Sequence, residues 1–265
     1  NPIRAVDNPS LVHFWGDLHG QSEETIGAGS ARQYFEFARD CAFVDAISHQ
    51  GNDFQITLPF WKKLDELCAE FNQAGHFVAI PGYEWSGNTG LGGDRNIYYP
   101  EEGRTIRRSS HALVEDHSDI DTDANSSAEL FEDFAANEEW DVVGYAHCGG
   151  RYADVKLSHD SRFEKSMEIH SSWGTFEWLV QDAFEMGYRI GIVSNSDGHK
   201  GRPGASYPGA SLFGAVGGLT CFITEDLSRE SIMDCLRKRH HYGTTGGHGA
   251  RMFMHVQATF TEPTV

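Results

Sequence analysis

The sequence predicts an α/β chain built on a parallel sheet, open or closed, whose count of about seven core strands favours a closed barrel. Three observations support this. Apolar, strand-like runs alternate along the chain with segments of helical periodicity. No Pro/Gly/Ser linker and no internal repeat divides the 265 residues, so residues 1–265 read as one barrel-sized domain. Polar residues of metal-ligand type recur just after the strand-like runs, where the carboxyl ends of parallel strands would meet on one face.

In chain order, Val12 to His19 is a strand, and Ser30 is the expected N-cap of a helix over about 31–41. Phe43 to Ser48 is a second strand. Phe60, Leu64, Leu67 and Phe71 are spaced for a helix over about 59–74. Phe77 to Trp85 is a third strand, beside which Asn96 to Tyr99 can return through the glycine-rich link 87–93. Residues 101–125 are polar and acidic and read as an excursion or lid within the domain. Ser126 and Glu129 have the spacing of a capping box opening a helix that ends near Asn137. Strands at 141–146 and 166–170, a helix at 176–186 and strands at 189–194 and 218–224 follow. Ser228 caps a last helix to about Arg239, residues 201–218 form a long loop, and 252–260 alternate like a late strand.

The bulk properties narrow the function. Twenty-one Lys and Arg against 39 Asp and Glu give a net charge of -18, which argues against nucleic acid as a partner. An anion can still bind where site cations reverse the local sign. No apolar run approaches the roughly 18 residues of a membrane span, so no membrane partner is expected. The opening Asn-Pro-Ile-Arg has no leader character. The five scattered cysteines, without a C-x-x-C, read as free thiols, and the expected compartment is the cytoplasm. Nothing here indicates an oligomeric state.

Fourteen histidines are many, and their placement is informative. His19 and Gln21 follow the first strand, His49 the second, and Glu84 closes the third; His147 and His170 end two later strands, and Asp197 and His199 follow another. Seven His, Asp and Glu positions would therefore converge. His19/Gln21 and Asp197/His199 are i, i+2 pairs whose side chains point the same way on extended backbone. Imidazole suits zinc, iron or nickel, and carboxylate accepts these and manganese. Such a set suits two or three ions with Glu84 as a bridge. A lone strand-end histidine is more often a hydrogen-bonded core residue, which is the reading for His13, His76, His111, His117, His159, His248 and His255; His240 and His241 stay open. Glu84, following Val78 to Tyr83, would be costly to bury without a cation. Arg95, Arg151, Lys200 and Arg202 lie beside these positions and suit an anionic substrate, although ordinary surface ion pairing would also account for them.

At these residues the chain resembles the PHP superfamily, named for polymerase and histidinol phosphatase. Asp17-Leu18-His19-Gly20-Gln21-Ser22 is similar to its opening D-L-H-x-H-S, Ala46-Ile47-Ser48-His49 to its T-D-H, and Pro81-Gly82-Tyr83-Glu84 to its G-x-E. Ala146-His147-Cys148-Gly149-Gly150 resembles S-H-P-G, Met167-Glu168-Ile169-His170 the next strand, Ser196-Asp197-Gly198-His199 its S-D-x-H, and Arg239 to Gly246 its closing segment. The stretch Trp15 to Ser22 is most similar to a large PHP-like family of unknown function. The resemblance implies a distorted (β/α)7 TIM-like barrel with its metal site at the C-terminal strand ends. It implies metal roles for His19, His49, Glu84, His147, Asp197 and His199. Gln21 stands where the family has a second histidine, Asp94 is nearest to a further family ligand, and Glu23 or Glu24 to another.

The expected function is a metal-dependent hydrolase, with a phosphoester as substrate and hydroxide generated on two or three zinc, manganese or iron ions. Metal roles fall to His19, Gln21, His49, Glu84, His147, His170, Asp197 and His199. Glu84, Asp197 and His199 are the catalytic set, and Arg95 and Arg151 hold a small anionic substrate. The alternatives are an amidohydrolase-like hydrolase of lactones or amides, for which no strand-end lysine is present, and a non-catalytic metal-binding barrel.

Overall fold

The structure is a computed structural model and describes residues 10–205, 214–246, 251–254, 256 and 259. Its order is β1 (Val12–Asp17), α1 (Ala31–Asp40), β2 (Ala46–Ser48), α2 (Leu58–Phe71), β3 (Val78–Ile80), β4 (Gly82–Trp85), β5 (Arg95–Tyr98), α3 (Ser127–Ala136), β6 (Val143–Ala146), β7 (Glu164–Ser171), β8 (Gly174–Thr175), α4 (Glu177–Glu185), β9 (Gly191–Ser194), β10 (Leu219–Thr224), α5 (Arg229–Lys238) and β11 (His241–Thr244). The helices start where capping chemistry expects. Ser30 accepts from Gln33 N while Gln33 reaches back, and Thr57, Ser126 and Ser228 cap α2, α3 and α5. The box expected at α3 is shifted, because Glu129 accepts from Asn125 N instead of Ser126 N.

The strands form a mixed α/β fold with two sheets, ordered β11-β10-β1-β2-β3 and β4-β5-β6-β7-β8, with β9 also paired to β7. The pairs β1–β2, β2–β3, β6–β7 and β7–β9 are parallel; β10 pairs antiparallel with β1 and β11, and β5 with β4 and β6. The expected closed ring of seven βα units is therefore corrected: among the described residues there are five α-helices and no closed barrel. Pro81 interrupts the third strand, since it cannot donate to a ladder. β4 then opens the second sheet, in which β5 is an antiparallel return instead of the product of another helix crossover. The tail residues 251–254 are not a strand, and the rest of the expected late strand lies mostly outside the described residues.

Two apolar layers hold the sheets. Leu18, Ile80, Tyr98, Val143, Tyr145, Val193 and Phe222 pack among the strands. Trp15, Phe35, Trp61, Tyr83, Trp85 and Phe134 pack between strands and helices α1–α3. All five cysteines are free. No helix among the described residues is long and apolar enough to cross a membrane.

His241, left open by the sequence, is a core residue. Its Nδ1 donates to Cys235 O (3.1 Å) and its Nε2 accepts from Ser166 Oγ (2.8 Å). Burial pushes its pKa down to about 4. The unfolded chain then binds a proton below pH 6.5 that the folded chain refuses, so stability is lost as pH falls from 6.5 toward 4. This group should remove about 2 kcal/mol between pH 7 and pH 5. Urea unfolding at both pH values should show a shallower pH dependence for His241→Gln than for the wild type; identical slopes would refute the assignment.

Candidate metal centre

The end of β1 and the loop after β9 are tied together by buried polar groups. Leu18 N donates to Asn195 Oδ1 (2.8 Å), Ser196 N to Asp17 Oδ1 (2.9 Å) and Gln21 N to Gly198 O (2.9 Å). This brings His19 against Asp197, which takes a left-handed φ of 44°, a conformation costly for a non-glycine residue and typical of functional sites. β4 contributes Glu84, β6 presents His147 at its end, and β7 contributes Glu168.

Two overlapping groups of buried ligand-type side chains result: His19, His147 and Asp197, and Glu84, Asp94 and His147. His19 Nδ1 lies 3.0 Å from Glu168 Oε1, which fixes the ring so that Nε2 faces Asp197 Oδ1 at 3.3 Å and Glu84 Oε2 at 3.6 Å. That Nε2 is fully buried and makes no hydrogen bond. His147 Nε2 lies 2.9 Å from Glu84 Oε1 and 3.8 Å from Asp94 Oδ2. Gly149 is required beside it, since a Cβ there would sit 2.5 Å from the His147 ring.

Four buried carboxylates, Glu84, Asp94, Glu168 and Asp197, crowd this space. Burial and the Glu84 charge push Asp94 up to about 7 despite Arg151. Burial opposes the His19 charge, yet Asp197 and Glu168 raise its pKa well above the ordinary value; burial likewise opposes the Glu84 charge, yet His147 and His19 hold it low. The site has an excess of negative charge that a dication would balance, and an aimed, unpartnered imidazole nitrogen. The residues therefore fit divalent metal.

The structure treats the expected site residues unequally. His19, Glu84, His147 and Asp197 converge, and His199 joins them with Nε2 3.2 Å from Asp197 Oδ1. Gln21 does not present its oxygen. Ile26 N–H and Thr25 Oγ1 donate to Oε1, so the amide nitrogen faces Asn52 (3.0 Å) and Glu84 (3.4 Å), and Gln21 is placed as a donor to Glu84. His49 Nε2 accepts from Ser22 N–H (3.1 Å), which occupies its lone pair and keeps it out of both groups. His170 uses both ring nitrogens elsewhere, on Thr175 Oγ1 and Val216 O (each 2.7 Å). Arg95 is fully buried and bonds Gly93 O, Ser158 O and Glu164, so it cannot touch a substrate. Glu24 caps Ala31 N instead of joining the cluster.

Arg151 does reach the site. Its Nε lies 2.9 Å from Asp94 Oδ1 and its head covers the Phe54 ring at 5.0 Å. It lines a cavity of about 280 Å³ with Glu84, Asp197, His199, Asn52 and Trp173. A larger hollow, about 460 Å³ between α1 and residues 200–202, contains none of the ligand groups.

Sequence reasoning missed two residues. Glu168 orients His19, and Asn52 Nδ2 donates to Glu84 Oε2 (2.8 Å). Replacing Glu168 with Gln should weaken metal affinity by roughly 10–100-fold, because an amide cannot fix the His19 tautomer as a carboxylate does. Metal titration of the variant monitors this, and unchanged affinity would remove Glu168 from the site.

No family model matches the chain. An uncharacterized protein of Chlamydia pneumoniae is 22% identical over 267 residues, covering 92% of this chain and 41% of that protein. One of Chlamydia trachomatis is 21% identical, covering 97% and 43%. The chain thus spans about two fifths of these curated relatives. Among solved structures, a two-domain protein of Bacteroides vulgatus containing a predicted PHP-like metal-dependent phosphoesterase superposes with a TM-score of 0.58 at 12% identity, covering 92% of this chain and 68% of that one. Endonuclease Q, solved with a 27-mer duplex substrate carrying an abasic lesion at its active site, superposes with a TM-score of 0.55 at 13% identity, covering 87% and 58%. The likeness to PHP-type proteins read from the motifs is thus met at the level of fold. The exclusion of nucleic acid is corrected. A neighbour of this fold acts on DNA, and net charge is a property of the whole surface, whereas binding depends on the local field at the site.

Proposed function

We propose that this chain is a PHP-superfamily hydrolase that cleaves phosphate esters at two or three divalent ions, zinc, manganese or iron, held by His19, Glu84, His147, Asp197, Asp94 and His199. The observation that supports it most is the His19 Nε2, buried without a hydrogen bond between the Glu84 and Asp197 carboxylates. When bound, divalent ions lower the pKa of water toward neutrality and polarise the phosphoryl group. Glu168 keeps the His19 proton on Nδ1, and Asn52 and Gln21 hold one Glu84 oxygen by donating to it. Arg151 binds the substrate anion, with Asp94 fixing its orientation.

The protein, loaded in turn with manganese, zinc and iron, should retain at least two equivalents of metal by elemental analysis. It should turn over 4-nitrophenyl phosphate, its bis-ester or an abasic DNA duplex. Turnover of lactones or amides alone would replace phosphoester hydrolysis with the amidohydrolase-type reading. Stoichiometric metal without turnover of any of these would favour a binding role. Absence of metal would end the proposal.

A further inference from the structure

Arg151 lines the cavity beside the ligand groups. That side chain also lines a second hollow of about 280 Å³, bordered by Phe54, Asn88, Leu91, Ser110 and Leu113. The two linings draw on the same two segments: Asn52 and Glu84 line the first space, Phe54 and Ser86 the second. Asn52 Nδ2 donates to Glu84 Oε2 and to Ser86 Oγ, both at 2.8 Å, and so forms a shared wall. Asp53 accepts from Ser86 N (2.7 Å) and from Ser109 N, which ties this wall to the segment 109–113. The second space therefore has a built floor.

The two linings differ in chemistry. The first space contains Glu84, Asp197, His199 and Arg151. In the second, Arg151 is the only charged residue among those described, in a chain of net charge -18. Leu91 and Leu113 are 46% and 65% exposed there, beside amides and hydroxyls. Apolar faces interleaved with neutral donors and acceptors suit an uncharged ring, and a single cation at the boundary suits an anion on the other side.

We propose that this groove receives the uncharged, ring-sized alcohol portion of a phosphate ester, with the phosphoryl group at the metal-ligand side chains and Arg151 at the junction. The proposal rests on the phosphoester reading of the same site. It is tested with two non-hydrolysable probes of equal charge, methylphosphonate and phenylphosphonate, titrated calorimetrically into manganese-loaded protein. The wild type should bind the phenyl probe about tenfold more tightly. Ala112→Trp, at an exposed position on the groove, should abolish that advantage and leave methylphosphonate affinity within about twofold. Leu113→Ser should reduce the advantage in the same direction. If methylphosphonate binds but the phenyl ring adds nothing, or both probes weaken equally in Ala112→Trp, the groove proposal fails alone. If methylphosphonate does not bind the wild type, the phosphoester reading fails and the groove proposal fails with it.

Discussion

Replacing Glu84 with glutamine is expected to strip the protein of most of its metal and to lower phosphoester turnover about a thousandfold or more, in a chain that stays folded. Glu84 contacts histidines of both ligand groups: one oxygen lies 2.9 Å from the shared His147 Nε2, and the other lies 3.6 Å from His19 Nε2 and accepts from Asn52. Glutamine keeps the shape and removes the charge. It must also turn an NH₂ toward either His147 or the amide donors of Asn52 and Gln21, so one side of the site loses its acceptor. Elemental analysis, circular dichroism and kcat on 4-nitrophenyl phosphate separate the possibilities. Full metal content with turnover within tenfold of the wild type would show that Glu84 is a structural carboxylate. A collapsed spectrum would place its role in folding.

The convergence of ligand-type side chains at strand ends was legible because β-strands have a fixed period and parallel strands share one end. His19, Glu84, His147 and Asp197 follow from those two facts. The errors have equally local causes. Glu168 and His170 are an i, i+2 pair on β7 and should share a face, but the pairing with β9 shifts register between them and His170 turns to Thr175 and Val216. Reading the strand end alone selected His170, whereas the member of the pair that faces His19 is Glu168. The orientation of Gln21 is decided by Thr25 Oγ1 and the N–H of Ile26, a loop geometry that no periodicity reports. The return of Asn96 to Tyr99 beside the third strand was legible from the glycine-rich link, whereas a strand count does not report which strands pair, and the observed pairing makes two sheets. Net charge misled in a different way, because a sum over 60 charged side chains says little about the few that face one cavity.

Arg95 and Arg151 looked equivalent in the sequence, and their substitution should separate them by a large difference in stability. Asp94 and Arg95 are adjacent on the chain and point to opposite sides. Asp94 meets His147 and Arg151, while Arg95 turns into the fold, with its Nε 2.6 Å from Glu164. Both Arg95 and Glu164 are fully buried, and His159 is a further partner of the Glu164 carboxylate, at 2.9 Å. Arg95→Met removes the cation and strands a carboxylate in a dry interior, which costs about 3–5 kcal/mol. In a domain of this size that is a fall in Tm of roughly 10 °C. Removing both charges, as in Arg95→Met with Glu164→Leu, should recover most of the loss, because no unpaired ion remains. Arg151→Ala should show the converse pattern, with little change in Tm and a KM for phosphoester raised about 10–100-fold through loss of a charge-assisted hydrogen bond. Thermal melts and Michaelis kinetics on the three variants decide the matter. A KM effect at Arg95 without destabilisation would return that residue to the substrate site, whereas destabilisation rescued by the second substitution would confirm a charge pair that supports the strand beginning beside Asp94.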